Sequence, residues 1–388
     1  MNILFLHNNN IDPNGGGISR ITDVLARAFL DKGNQVYYMA VVELSTPTAN
    51  PEQYYLPDQK NVYSESNLKY LKEFCLEKNI SVIINQSALS MPFGRLMSEV
   101  PDVKRISVLH SSLFVPYRHT AYLLEYDLRK KGLGFLLPVL KMEVVNKIVV
   151  RYFVRKRKSM YKSMVNLCDA AVVLCQGQID DFRLVLNDEE MKKLHIINNC
   201  IEPLTNKTVR TGRKKLVLWL GTIDFKIKRT DMMLRIWKKA VQSHPDWQLK
   251  ILGDSPYAEE AKQLSDKMQI PQVEFVGRVN PELYYRESEI VCVTSTHECF
   301  CMVLLEALNY GVVPIAFDSF PAAKEEIVDN ESGLLVPAFN IKQYANKLSN
   351  LMDNQEERMR LRQGALDAAR GFDSSIIVEK WIDLINNL

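Results

Sequence analysis

The chain has 388 residues, 49 Lys and Arg against 46 Asp and Glu, and a formal net charge of +3. That is too long for one ordinary core, and too nearly neutral for nucleic-acid or acidic-substrate binding by overall charge, so two domains are expected and charge has to be read locally. The 7 cysteines are odd in number and mostly in apolar surroundings. The opening "MNILFLHNNN" has no basic leader or cleavage site, and no apolar run approaches the ~20 residues of a spanning helix. The expectation is a reduced, cytoplasmic protein.

"NILFLHNN" reads as a buried strand broken by "IDPNGGG". "GISRITDVLARAFLDKG" then puts Ile18, Ile21, Leu25 and Phe29 on one helical face and closes at Gly33. "QVYYMAVV", "SVIINQ", "RISVLHSS", "AAVVLCQ" and "LHIINNCI" continue a parallel α/β sheet. Residues 202–215, "EPLTNKTVRTGRKK", are polar, basic and aperiodic, and read as a linker. The pattern restarts with the strands "LVLWLGT", "WQLKILG", "VEFVG", "IVCVTST" and "VVPIAF", interleaved with the helices "TDMMLRIWKKAVQSH" and "AEEAKQLSDKMQ". Each strand is short and continuously apolar, as when helices cover both faces of a sheet. The chain reads as two doubly wound α/β halves. Ligands of such sheets bind beyond the carboxyl ends of the strands, so facing halves would hold the site in the cleft between them.

Within "HECFCMVLLEALNYG", Glu298 lies in a strand-to-helix loop and Glu306 inside the helix that follows. Eight residues of helix rise at most ~12 Å and turn by two turns plus about 80°, so both carboxylates can face one side. Between them are the free N–H groups of the helix start, near Phe300, Cys301, Met302 and Val303, which make an anion site. Acid, anion site, acid suits a ligand with hydroxyls at both ends and phosphates in the middle, such as a nucleotide-sugar. The bland alternative is a capping Glu298 and a solvated Glu306.

"GTIDFKIKRTD" brings Lys226, Lys228 and Arg229 to a loop at the same end of the second sheet, where a cation could hold a pyrophosphate; otherwise it is a solvated basic turn. In the first half, Gly16 and Gly17 of "NNNIDPNGGG" permit close backbone approach, though the run is not the dinucleotide fingerprint GxGxxG. His110 ends the strand of "SVLHSS". His297, Cys299 and Cys301 alternate but lack a second ligand pair at zinc spacing, so no metal is expected. HExxH and GxSxG are both missing.

These segments, in this order and spacing, resemble the retaining glycosyltransferases of family 4. "ECFCMVLLEALNYG" is similar to that family's E-x7-E element, "GTIDFKIKRTD" to its phosphate loop, and "KEEIVDNESGLLVP" to a later segment. "GGISRITDVLARAFLDKGNQVYYMA" is similar to its first glycine loop and helix, and Asn199 in "IINNCIE" to its hinge asparagine. The resemblance implies a GT-B fold: two facing Rossmann-like doubly wound domains with a cleft between, residues 1–200 on the acceptor side and 201–370 binding the donor. Residues 371–388 would be a helix packing back on the first domain.

The resemblance also implies roles. Glu298, Lys228 and His110 would be catalytic. Gly16, Gly17, Lys226, Arg278, Val279, Phe300, Cys301, Met302, Val303 and Glu306 would bind the donor. Neither metal nor cofactor is implied, and UDP is the default carrier. The chain departs from the family pattern at Thr222, where the family has Arg, and at Cys299 and Cys301, which replace Gly and Pro. A non-catalytic nucleotide-sugar or glycan-binding protein is therefore the alternative. Phosphorolysis would need a second anion site or a pyridoxal lysine, and neither is apparent.

Residues 128–162 are an insert. Lys147, Arg151, Arg155, Lys158 and Lys162 run at helical spacing beside an apolar stripe of Leu137, Leu140, Val144, Ile148 and Tyr152. Such a helix suits an anionic membrane surface or a lipid-linked acceptor, at the inner face of a membrane; it also suits a helix packed on the first domain with a solvated basic face.

Overall fold

The computed structural model describes residues 1–13, 16–44, 51–204 and 212–388, and the chain divides into two compact units. The first contains Met1–Leu113, Tyr152–Glu202 and Phe372–Leu388; the second contains Phe114–Arg151 and Pro203–Gly371.

The first unit is built on seven strands: β1 (Asn2–Asn9), β2 (Gln35–Val42), β3 (Glu52–Tyr55), β4 (Val82–Asn85), β5 (Lys104–Leu109), β6 (Ala170–Val173) and β7 (Leu194–Ile196). They are parallel, in the order β3-β2-β1-β4-β5-β6-β7. Ile3, Leu4, Phe5 and Leu6 of the central β1 are wholly buried, which is why the strand is apolar on both faces. The helix Gly17–Asp31 buries Ile21, Leu25 and Phe29, while Ile18 stays exposed at its first turn. β3 carries no apolar run and was not visible in the sequence. The C-terminal helix Ser374–Asn387 packs on Gly17–Asp31. It is tied in by bonds from Ile201 N–H to the Phe372 carbonyl (2.9 Å) and from Ser374 N–H to the Ile201 carbonyl (3.0 Å).

The second unit has six parallel strands: β8 (Leu216–Leu220), β9 (Gln248–Leu252), β10 (Val273–Gly277), β11 (Ile290–Val293), β12 (Val313–Asp318) and β13 (Leu334–Pro337). Their order is β10-β9-β8-β11-β12-β13, so the winding reverses between β8 and β11. A ligand of such a sheet binds at that reversal. Trp219, Trp237, Ile251, Ile315 and Tyr344 are buried in one core. β13, a short edge strand ending in proline, was also not recognised in the sequence.

Residues 205–211 of the expected linker lie outside the described residues, and its end is tied into the second unit. The Arg213 guanidinium donates to the carbonyls of Tyr285 (2.8 Å), Ser288 (2.6 Å) and Tyr310 (2.5 Å). The front of the insert, placed with the first domain by sequence order, belongs to the second unit. Tyr122 stacks on Phe339 with ring centroids 3.7 Å apart, Tyr126 stacks on Phe225 at 4.9 Å, and Lys226 pairs with Asp127 at 2.8 Å. Aromatic stacking and ion pairing outweigh chain order here. Within the insert Leu137 is buried rather than part of an exposed stripe, and Lys162 pairs with Glu190 at 3.1 Å. No helix among the described residues is long and apolar enough to cross a membrane.

Candidate active site

The loop from β8 to the helix Thr230–Ala240 is shaped by one side chain. Asp224 Oδ1 accepts from the backbone N–H groups of Lys226 (2.7 Å), Ile227 (2.5 Å) and Lys228 (3.1 Å). An aspartate that binds its own following amides fixes a tight turn without regular structure. From the β11 side, Thr294 Oγ1 donates to the Lys228 carbonyl (2.8 Å) and Thr296 Oγ1 to the Lys226 carbonyl (2.9 Å). The Trp219 indole N–H holds Thr294 Oγ1 at 2.9 Å. The two strand ends at the winding reversal are thus stitched together.

The three loop cations separate. Lys228 Nζ lies 2.5 Å from Glu298 Oε1, which Ser295 Oγ also contacts at 2.6 Å. Burial alone would lower Lys228, but the Glu298 carboxylate outweighs it, and the ammonium stays protonated well above its ordinary range. Lys226, expected at the donor, pairs with Asp127 at 2.8 Å. Arg229 is buried in left-handed backbone (φ 56°) and donates to Asp231 (2.8 Å), Glu125 (3.1 Å) and the Tyr122 carbonyl (3.2 Å). It anchors the segment just before the insert to the loop.

Cys301 caps the helix Met302–Tyr310, whose first turn carries Met302 and Val303; Phe300 and Cys301 are buried just before it. One of the N–H groups expected to face an anion is already used: Cys301 N–H donates to Glu326 Oε1 at 2.6 Å. Glu326 is 1% exposed, and its Oε2 has no partner among the described residues. Burial pushes its carboxyl well above the usual range, against the lowering by the Cys301 amide. The sequence showed Glu326 only as part of a matched segment and gave it no role. On the same helix Glu306 Oε2 accepts from the Tyr285 hydroxyl at 2.7 Å, and Tyr285 stacks on Tyr310 with centroids 5.2 Å apart. Tyr285 was also missed, because only the tertiary fold shows its contact with Glu306. Arg278 and Val279 follow β10, with Val279 exposed. Cys301 is buried while Cys299 is partly exposed, and among the described residues no three His, Cys, Asp or Glu converge as metal ligands.

In the first unit His110 ends β5. Its Nε2 lies 2.5 Å from Gln86 Oε1, and the Gln86 backbone N–H donates to the Leu6 carbonyl at 2.9 Å. A carbonyl oxygen accepts, so Nε2 carries the proton and Nδ1 the lone pair. Burial, with a smaller contribution from His7, pushes the imidazole down to about 3, so it is neutral at physiological pH. His110, Gln86, Asn199, Ile377 and Trp381 line one small cavity. Gly16 caps the helix Gly17–Asp31 in a backbone that favours glycine (φ 140°), and a side chain at Gly16 or Gly17 would meet open space within 4 Å. Asn14 and Gly15 of the same loop lie outside the described residues.

Residues 201–367 match the model of the family described as Glycosyl transferases group 1. An uncharacterised glycosyltransferase of Haemophilus influenzae is 29% identical over 223 residues, 56% of this chain and 61% of that protein. The amylovoran biosynthesis glycosyltransferase AmsD of Erwinia amylovora is 28% identical over 232 residues, 57% of this chain and 63% of that protein. The chain thus spans less than two thirds of the length of these curated relatives. Among solved structures, Anabaena HepE in complex with UDP-glucose matches with a TM-score of 0.72 and 15% identity over 100% of both chains. The galactosyltransferase WaaB, in its apo form, matches at 0.69 and 14%, again over 100% of both chains. At such identities the likeness is one of fold, and the two doubly wound units are those of the GT-B glycosyltransferases.

Proposed function

We propose that the protein is a retaining hexosyltransferase that moves a sugar from a nucleotide-sugar, by default a UDP-sugar, to a glycan or lipid-linked acceptor. The setting is cell-surface polysaccharide or glycolipid synthesis on the cytoplasmic side of a membrane. The observation that carries the reading is the Lys228–Glu298 pair at the start of the helix Met302–Tyr310, where the second sheet reverses its winding. Lys228 and the helix start stabilise the charge of the departing diphosphate, and no metal is needed for that work. Glu298 contacts the donor sugar, Glu306 accepts from the ribose, and the segment at Arg278 and Val279 borders the base. Gly16 and Gly17 approach the phosphates. His110 offers the sugar a neutral imidazole. The acceptor oxygen attacks the anomeric carbon on the face the diphosphate leaves, and the acceptor proton passes to a diphosphate oxygen. No side chain is placed as a covalent nucleophile, so a glycosyl adduct on a carboxylate would count against this path.

The test is donor binding and slow donor hydrolysis across UDP-, GDP- and ADP-sugars, with Glu306→Ala alongside. One donor bound and hydrolysed, and lost in the variant, supports the reading and names the carrier. A second reading, a non-catalytic nucleotide-sugar-binding protein, draws on the engagement of Lys226 and Arg229 by acids and on Thr222. Tight donor binding with neither hydrolysis nor transfer would favour it.

A further inference from the structure

The helix Glu143–Asn166 is 24 residues long, yet its buried residues are only Tyr161, Met164 and Val165, near its end. A helix normally earns its stability by burying one face. Here the first two-thirds presents its apolar side outward. Val144, Ile148 and Tyr152, at successive i, i+4 positions, are 55%, 60% and 57% exposed. The turn before the helix adds Phe135 at 71%, Val139 at 53% and Met142 at 52%. Single exposed apolar residues need no explanation, but six along one continuous segment do. Beside the apolar row run Lys147, Arg151, Arg155 and Lys158, all exposed. Residues 129–158 hold ten Lys and Arg against one acid, Glu143.

We infer that residues 129–158 form a docking surface for an anionic lipid bilayer, with Phe135, Val139, Met142, Val144, Ile148 and Tyr152 entering the acyl boundary and the cations on the headgroups. Charge and polarity together select this occupant. A second copy would set one cationic face against another. A soluble polyanion would satisfy the cations and leave the apolar row in water. An anionic bilayer offers both a negative surface and hydrocarbon within the ~5–10 Å that such helices reach.

The front of the surface, residues 129–151, belongs to the donor-binding unit. Tyr122 on Phe339, Tyr126 on Phe225, Asp127 on Lys226 and Glu125 on Arg229 join the segment just before it to the phosphate loop and its sheet. Docking would therefore hold the unit that carries Lys228 and Glu298 at the membrane. The inference rests on the transferase reading for its purpose, though the binding itself does not require it.

The test is sedimentation of the full chain with vesicles of pure phosphatidylcholine or of phosphatidylcholine with one-third phosphatidylglycerol, at about 0.1 and 0.5 M salt. Phe135→Ser/Val139→Ser/Ile148→Ser removes apolar anchors, and Arg151→Ala/Arg155→Ala/Lys158→Ala removes cations. All six positions are exposed, so both variants should fold, which an unchanged melting temperature would verify. Expected are binding to the anionic vesicles only, weakened by salt, and a loss of at least tenfold in either variant, on a scale of roughly fivefold per cation near the surface. Failure to bind anionic vesicles overturns the inference. So does vesicle binding untouched by the apolar variant, which would assign the surface to polyanions. So does concentration-dependent dimerisation that the apolar variant abolishes. Titration of the same samples with the UDP-, GDP- and ADP-sugars separates the two proposals. Intact donor binding without vesicle binding removes only this inference, and vesicle binding without any donor removes only the transferase reading.

Discussion

β1 and β8 hold the same place in their sheets, each beside the strand where the winding reverses, but the loops that leave them are held differently. The loop after β8 is stitched from within: one carboxylate, Asp224, accepts three successive amides, and two threonine hydroxyls from the β11 side take two of its carbonyls. The chain after β1 is tied at its root to neighbouring strands and loops, by Asn10 N–H on the Val42 carbonyl (3.0 Å), Ile11 N–H on Gln53 Oε1 (3.1 Å) and Leu44 N–H on Asn10 Oδ1 (2.8 Å), and leads on to Gly16. The first kind of loop presents a charged side chain at a fixed point. The second offers backbone and space. A site that must meet charge developing on a leaving group needs the first kind, because a preorganised cation does not have to reorient as the bond breaks.

The largest expected effect is on Lys228. In Lys228→Met the cation beside Glu298 is gone, so transfer or donor hydrolysis should fall about 100- to 1,000-fold, while urea unfolding shifts little by comparison. A loss of less than fivefold would mean that the pair in the second loop is structural and the contrast between the loops has no catalytic meaning.

Gly253→Ala comes next. A Cβ there would lie 1.8 Å from the Gly221 carbonyl oxygen, in a backbone (φ 140°) that side chains rarely adopt, so the ends of β8 and β9 would have to part. The expected cost is about 3 kcal/mol in chemical denaturation, with donor affinity lost along with it. Gly17→Ala, facing open space at the other loop, should leave stability within about 1 kcal/mol.

Asp224 sharpens the comparison at the level of hydrogen bonds. Asp224→Ala strips an acceptor from three amides and should cost about 1–3 kcal/mol and raise the donor KM; Asp224→Asn retains an oxygen and should recover much of both. Equal losses in the two variants would point to the charge rather than the turn.

The smallest effect concerns His110 and pH. Unfolded, its imidazole takes a proton near 6.5; folded, only near about 3. Between these values the unfolded chain binds more protons, so this residue lowers stability as pH falls from about 6.5. Its share is at most about 1.4 kcal/mol per pH unit. His110→Asn should therefore lose less stability between pH 7.5 and 5 than the parent, as read by urea midpoints. An identical slope would show that His110 is not held neutral.

The sequence carried the plan of each sheet because buried parallel strands are continuous apolar runs, as β1 and β11 show. It missed β3 and β13, which are short edge strands whose pairing depends on neighbours rather than on their own pattern. Of the site, the loop with Lys228 and the helix start bearing Glu298 and Glu306 were legible, since their residue types and spacing are local. Tyr285 on Glu306 and Glu326 on the Cys301 amide were not, because each contact joins residues 21 and 25 positions apart that no periodicity links.

By itself, then, the sequence determined two doubly wound halves and which loops hold charge at their strand ends, because burial period and glycine, aspartate or lysine chemistry act over a few residues. Only the tertiary structure decided which cation remains beside the acid. Lys226 and Arg229 are drawn off by Asp127, Glu125 and Asp231, leaving Lys228 with Glu298. It also decided that the insert's front half packs on the second unit, leaving its apolar row exposed. Ion pairs and stacked rings form with whatever the fold brings within a few ångströms, and that neighbourhood is not written in the order of the chain.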